Sequence, residues 1–197
     1  MKPLILSSKS PRRRELLELC GFDFSVIPAE LDEGAISKKF VEDGICTAPE
    51  DLVLNLAEEK ALWVYQRNPD NVVLGADTIV WLEGRVFGKP RTSSEALMML
   101  KALSGRDHWV YTGVSILQTE HKYLFVQLSK VRFYPWDEAM QNLASAYIQS
   151  GEPFDKAGGY GIQGMGALFI ESLEGDYYSV MGLPIGQVYR VLTQIFK

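Results

Sequence analysis

The chain alternates between two hydrophobic patterns. LILS, residues 4–7, is a short unbroken apolar run and predicts a buried strand. Pro11 to Cys20 then reads as a helix, with Ser10 as N-cap, Pro11 in the first helical position and Gly21 just past the end. FDFSVI alternates with period two and predicts a second strand. A loop rich in acids and glycine follows, until Pro49 opens a longer helix, EDLVLNLAEEKALWVYQ, closed near Asn68-Pro69. NVVLGADTIVWL is apolar almost throughout, as a central strand must be, and Glu83-Gly84 turns it into RVFGKP.

Further along, Thr92 and Glu95 have capping-box spacing ahead of ALMMLKAL, with Gly105 as the stop. HWVYTGVSILQ and YLFVQLSKVRF, separated by the polar TEHK, predict a long hairpin, and WDEAMQNLASAYIQ a helix ending before Ser150-Gly151. A glycine-rich loop, a strand ALFIESL, a second turn region and a closing helix from about Ile185 complete the pattern. Strands and helices interleave, with hairpins inserted, so the expected fold is α/β around a mixed twisted sheet with flanking helices. No repeat, low-complexity segment or linker divides the chain, which predicts one domain over residues 1–197, in two lobes.

Charge narrows the partners. Twenty-five acidic against 20 basic side chains give a net charge of -5, the wrong sign for broad binding to a nucleic-acid backbone. One lysine and three strongly apolar residues precede the first serines and arginines, which fits neither a signal peptide nor a membrane anchor. Cys20 and Cys46 stand in no metal or redox spacing and read as free thiols. The expected compartment is the cytoplasm.

Three positions break the local pattern. In SKSPRRRELL, Lys9, Arg12, Arg13 and Arg14 crowd the start of the first helix, where positive charge opposes the helix dipole. Either the cluster is a solvated basic face, or it stands where an anion meets the free N–H groups of the helix N-terminus. Asp77 interrupts the apolar strand, and a carboxylate taken out of water there needs a partner, a proton or a metal; the other reading is an aspartate at a bulge made by Gly75. Lys60 falls in the middle of the apolar stripe formed by Val53, Leu56, Ala57, Ala61 and Val64. Such a lysine either snorkels out, the commoner outcome, or meets an anion within.

Other features are weaker alone. Lys89 in FGKP reads as a surface lysine that the turn returns towards the neighbourhood of the first strand, and Asp32-Glu33 in AELDEG as turn carboxylates aimed at a cleft or at solvent. GEPFDKAGGYGIQGMG contains GxGxxG at residues 159–164, but no strand leads in and no helix follows, so a dinucleotide fingerprint is rejected. There is no GxxxxGK[ST] loop and no GxSxG elbow, and His108 and His121 cannot build a histidine-rich zinc site. Any metal would be held mainly by carboxylates, which favours Mg²⁺ or Mn²⁺.

Taken in order, SSKSPRRRELL, LDEG, LAEEKA, LGADTIV, GKP, LSGRDHWVYTGV, GEPFDKAGGYGIQG and GDYYSVMGLP resemble the Maf family of nucleoside triphosphate pyrophosphatases over essentially the whole chain. The resemblance implies a Maf/inosine triphosphatase-like fold of two lobes around a central cleft. It implies hydrolysis between the α and β phosphates to monophosphate and pyrophosphate, with a divalent cation. Asp77 matches the family's acid/base aspartate, Glu33 its metal-side glutamate, and Lys60 and Lys89 its phosphate-binding lysines; Asp77 and Glu33 are the expected metal ligands. Ser8, Ser10, Arg13, Asp155 and Lys156 resemble further parts of the triphosphate site. A homodimer is the family's expected assembly.

Arg12, Thr78 and Gln163 match the branch acting on dTTP and UTP rather than the branch acting on 7-methyl-GTP. The Gln163 amide, donor and acceptor together, suits the O4/N3–H edge shared by thymine and uracil. The implied role is nucleotide house-cleaning that includes modified pyrimidine nucleotides, and the family is linked to arrest of cell division. The alternatives are a 7-methyl-GTP pyrophosphatase and a nucleotide-binding regulator that does not hydrolyse. Departures from the family pattern are Ser129 for the usual threonine, Met181 for a small β-branched residue, and a slightly long loop at Asp43 to Thr47.

Overall fold

The computed structural model describes residues 3–42, 44 and 48–197; Cys46 and most of the Asp43–Thr47 loop lie outside the described residues. Among these, seven strands form one mixed sheet flanked by helices: β1 (Leu4–Ser7), β2 (Phe24–Val26), β3 (Val72–Leu82), β4 (Arg85–Phe87), β5 (Asp107–Leu117), β6 (Lys122–Phe133) and β7 (Ile170–Glu174). The order is β2-β1-β3-β5-β6-β7, with β4 paired to β3. β1 runs parallel to both β2 and β3, whereas the β3–β4 and β6–β7 pairs are antiparallel.

The chain divides into two compact units. The first comprises residues 1–77, 112–127 and 182–197; the second comprises residues 78–111 and 128–181. In the first, α1 (Pro11–Glu18), α2 (Glu33–Glu42), α3 (Pro49–Tyr65) and α7 (Ile185–Ile195) accompany the sheet, and Ile5, Ala61, Val64, Val73 and Leu117 share a buried cluster. In the second, α4 (Ser93–Leu103), α5 (Glu138–Gln149) and the short α6 (Tyr177–Met181) join a core of Val80, Leu100, Val131, Phe133, Tyr160 and Phe169.

Most boundaries follow the local chemistry. Ser10 caps α1, its hydroxyl accepting from the Arg13 N–H at 3.4 Å, and Glu83 and Gly84 both take the positive φ that a two-residue hairpin turn requires. Thr92 caps α4 by accepting from the Glu95 N–H at 3.1 Å.

Three expectations are corrected. The acidic loop after β2 contains a helix, α2, which Asp32 caps by accepting the Ala35 N–H at 3.0 Å; its glycine and two lysines hid a short amphipathic segment. ALFIESL begins as a 3₁₀ segment, Gly164–Phe169, and becomes a strand only at Ile170. The turn region after it holds α6, started by Asp176, whose carboxylate accepts the Tyr178 and Ser179 N–H groups.

Gly75 makes no bulge. It sits inside the regular β3 ladder, opposite Ser7 of β1. A Cβ there would lie 2.4 Å from the Ala57 carbonyl oxygen and 2.8 Å from the Ala61 nitrogen. The glycine therefore lets the α3 backbone rest directly on β3. Gly113 does the same on β5, where a Cβ would meet the Val53 carbonyl oxygen at 2.6 Å.

Candidate active site

Strand pleating puts Asp77 on the same face of β3 as Gly75, the face that α3 covers. Lys60, one position before Ala61, is thereby carried to Asp77. Its Nζ donates to Asp77 Oδ1 at 2.5 Å and stands 2.9 Å from Glu33 Oε1 at the start of α2. Lys60 and Asp77 are 7% and 6% exposed, whereas Glu33 is open to solvent. Lys60 thus does not snorkel: one buried ammonium joins two carboxylates from different elements, with water reaching the group from the Glu33 side.

The backbone of Lys60 is fixed as well. Ser7, buried at the end of β1, donates its hydroxyl to the Lys60 carbonyl at 2.8 Å. That bond ties the end of the first strand to the helical turn that carries the lysine.

The start of α1 contributes the second cluster. Ser8 Oγ accepts the Ser10 N–H at 3.1 Å and lies 3.5 Å from Arg13 Nη1. Arg13 does not extend into solvent: its Nε donates to the Gly182 carbonyl at 2.8 Å. Gly182 has φ +124°, and a Cβ on it would lie 3.3 Å from Arg13 Nε. Loss of water around the guanidinium draws the Arg13 pKa below its ordinary value, Asp77 and Glu33 push it back up, and Arg12 lowers it. The three arginines have separate roles. Arg14 is an exposed helix-surface residue paired with Glu18 at 3.0 Å, Arg12 is half-buried, and Arg13 is turned inward among acidic neighbours.

In the second unit, Lys89 is exposed between β4 and α4, and its segment is held against the glycine loop. The Gly158 N–H donates to the Gly88 carbonyl at 3.0 Å, and Gly159 packs on the Pro90 ring. Lys156 Nζ donates to Asp155 Oδ1 at 2.8 Å and to the Glu152 carbonyl at 2.6 Å. Gln163 is exposed on this loop. Thr78 follows Asp77 on β3, so pleating turns it to the opposite face of the strand.

Asp77 and Glu33 offer carboxylate oxygens, the donors that a hard divalent cation takes from protein. Among the described residues no three His, Cys, Asp or Glu side chains gather. Two carboxylates sharing one ammonium, one of them open to solvent, suit a hard cation that draws the remainder of its oxygen shell from phosphates and water. Sequence reading missed Ser7 and Gly182, the groups that hold Lys60 and Arg13: Ser7 closes an apolar run, and Gly182 acts through a backbone carbonyl, which no side-chain pattern reports. Cys20 is a free, half-buried thiol whose pKa burial raises. No helix among the described residues is long and apolar enough to cross a membrane.

Comparison with known proteins identifies the family. A Maf-like protein family model matches residues 3–195. A Bacillus cereus protein named dTTP/UTP pyrophosphatase is 46% identical over 194 residues, covering 98% of this chain and 90% of its own length. A Bacillus anthracis protein of the same name is also 46% identical, covering 98% of this chain and 96% of its own length. With a family model spanning nearly every residue and relatives matched along almost their whole length, the chain belongs to the Maf family.

Proposed function

We propose that the protein is a nucleoside triphosphate pyrophosphatase that hydrolyses dTTP and UTP, and related modified pyrimidine nucleotides, to the monophosphate and pyrophosphate. The observation that carries this reading is the buried Lys60 ammonium held between Asp77 and Glu33. A lysine and a water-side carboxylate around a buried aspartate are more than nucleotide binding requires, and they are what hydrolysis of a phosphoanhydride uses. The names of the Bacillus relatives support the same substrates.

In this reading Asp77 accepts the proton of the attacking water. The water oxygen bonds to the α-phosphorus as the bond from that phosphorus to the α,β-bridging oxygen breaks, and pyrophosphate departs with the bridging oxygen. Lys60 holds the Asp77 carboxylate in place and, with Lys89, neutralises phosphate charge. Ser8, Ser10 and Arg13 bind phosphate oxygens at the start of α1, and Asp155 and Lys156 contribute from the glycine loop. Asp77 and Glu33 would hold Mg²⁺ or Mn²⁺, which when bound supplies charge neutralisation across the phosphate oxygens. Arg12, Thr78 and Gln163 select the base, Gln163 by pairing its amide with the O4/N3–H edge. Assembly as a homodimer and residence in the cytoplasm belong to the same reading.

The test is pyrophosphate release across a panel of nucleotides, with Mg²⁺, with Mn²⁺ and with chelator. The expected result is strongest turnover of dTTP and UTP and none in chelator. Preferred turnover of 7-methyl-GTP with negligible dTTP hydrolysis would overturn the substrate assignment, and binding of dTTP without release of any product would overturn the activity.

A further inference from the structure

The glycine loop carrying Asp155, Lys156 and Gln163 has little side-chain mass to hold it, because Gly158, Gly159, Gly161, Gly164 and Gly166 interrupt it. Tyr160 is the one large side chain between Lys156 and Met165 that is buried, 5% exposed. Its hydroxyl lies 2.8 Å from Nε2 of His108, a fully buried residue of β5. Phe133 meets both rings edge-on, at centroid separations of 5.0 Å from His108 and 4.7 Å from Tyr160. The ring is therefore fixed in two ways, by aromatic packing and by one buried hydrogen bond.

What Tyr160 fixes reaches Lys156 through Gly161. A Cβ on Gly161 would lie 2.9 Å from Lys156 Cε and 3.0 Å from its Cδ, so the lysine stem lies directly on the residue that follows the tyrosine. Gly166 also rests on the Gly161 backbone, where a Cβ would meet the Gly161 carbonyl oxygen at 2.5 Å. Displacing Tyr160 displaces the floor on which Lys156 lies.

We propose that His108 and Tyr160 are positioning residues for the glycine loop: their buried hydrogen bond sets the place of Gly161, and through it the Lys156 stem and the approach of Gln163. Neither residue touches the reacting atoms. The proposal rests on the reading of Lys156 as part of the triphosphate site, and it predicts that the pair governs substrate binding rather than the chemical step.

The decisive variant is Tyr160→Phe, which keeps the ring and every aromatic contact and removes only the hydroxyl. His108→Gln is its complement, because the side-chain amide can stand near the position of Nε2 and keep a partner for the hydroxyl. Backbone hydrogen exchange over residues 156–164 is measured by mass spectrometry on the free protein, and KM and kcat for dTTP are measured separately.

Tyr160→Phe is expected to speed exchange in that segment and raise KM, each by about fivefold, the equivalent of one net hydrogen bond, with kcat little changed. His108→Gln is expected to restore both values towards wild type. Unchanged exchange in folded Tyr160→Phe overturns the anchor, and faster exchange with unchanged KM overturns its role in positioning Lys156. Absence of turnover in the wild type overturns the functional reading instead, and the exchange ratio, which needs no substrate, still decides the anchor.

Discussion

Lys60 and Asp77 form a buried ion pair, Nζ to Oδ1 at 2.5 Å, whose partners come from α3 and β3 and meet because Gly75 has no side chain. A charge pair in such a place contributes little net stability compared with apolar replacements, since desolvation offsets the attraction. Folding energy alone therefore gives little reason for such a pair in the middle of an apolar stripe.

Changing Asp77 to Asn tests this directly. The amide keeps the size and a hydrogen-bond acceptor for Lys60, and Glu33 keeps the ammonium paired, so the fold should survive with a loss on the order of 1–2 kcal/mol. Turnover should fall by at least about 100-fold, the contribution of a positioned base. Pyrophosphate release in steady state and a urea melt separate the two effects; a folded Asn variant with full activity removes Asp77 as the base.

Gly75→Ala should do the reverse of a surface glycine change. The new methyl would be placed 2.4 Å from the Ala57 carbonyl oxygen, and backbone on both sides leaves nothing flexible to move. A loss of at least about 3 kcal/mol is expected, in the range of severe overpacking. Gly186→Ala in α7 meets nothing within 4 Å and should be neutral or stabilising by up to about 1 kcal/mol. Equal urea midpoints for the two variants would show that α3 does not press on β3 as described.

Arg13→Lys should raise KM without a comparable fall in kcat. The guanidinium spends Nε on the Gly182 carbonyl and has an Nη near Ser8 Oγ. A lysine ammonium cannot keep that fixed fork and still face a phosphate. A loss of about tenfold in apparent affinity is expected, within the strength of a charge-assisted hydrogen bond. Unchanged KM for dTTP would exclude Arg13 from substrate binding.

The parts of this architecture that the sequence disclosed are those where periodicity and punctuation agree. β1, α3, β3 and the β5–β6 hairpin combine unbroken apolar runs or a clear helical stripe with capping and turn residues. α2 was hidden because it is short, begins at a pair of acids and contains a glycine. The 3₁₀ segment Gly164–Phe169 was hidden because ALF has the composition of a strand while its backbone is set by contacts of Gly161 and Gly166. For the site, Asp77 and Lys60 stood out as charges where apolar residues belong. Gly182 and Ser7 did not, because a carbonyl that holds an arginine and a hydroxyl that holds a helix carbonyl leave no signature in one-letter order.

His108 makes a prediction about acid. Burial presses its pKa from the ordinary 6.5 down to about 4, opposed by the Arg106 backbone and by the charge of Asp107, and its Nε2 faces the Tyr160 hydroxyl. In the unfolded chain the ring takes a proton as pH drops through about 6.5, whereas the folded protein resists until about 4. Between those values the unfolded state binds more protons, so stability falls as pH falls, by about 3 kcal/mol across the window. Above pH 6.5 the imidazole is neutral in both states and contributes no slope. His108→Gln has no proton to gain, so urea melts at pH 7, 6, 5 and 4.5 should show a shallower decline in the variant than in the wild type. Carboxylates titrate in both proteins, and the difference between the two curves isolates the imidazole. Parallel curves would mean that His108 is protonated as easily inside the fold as outside it, and its bond to Tyr160 would then be made by an imidazolium.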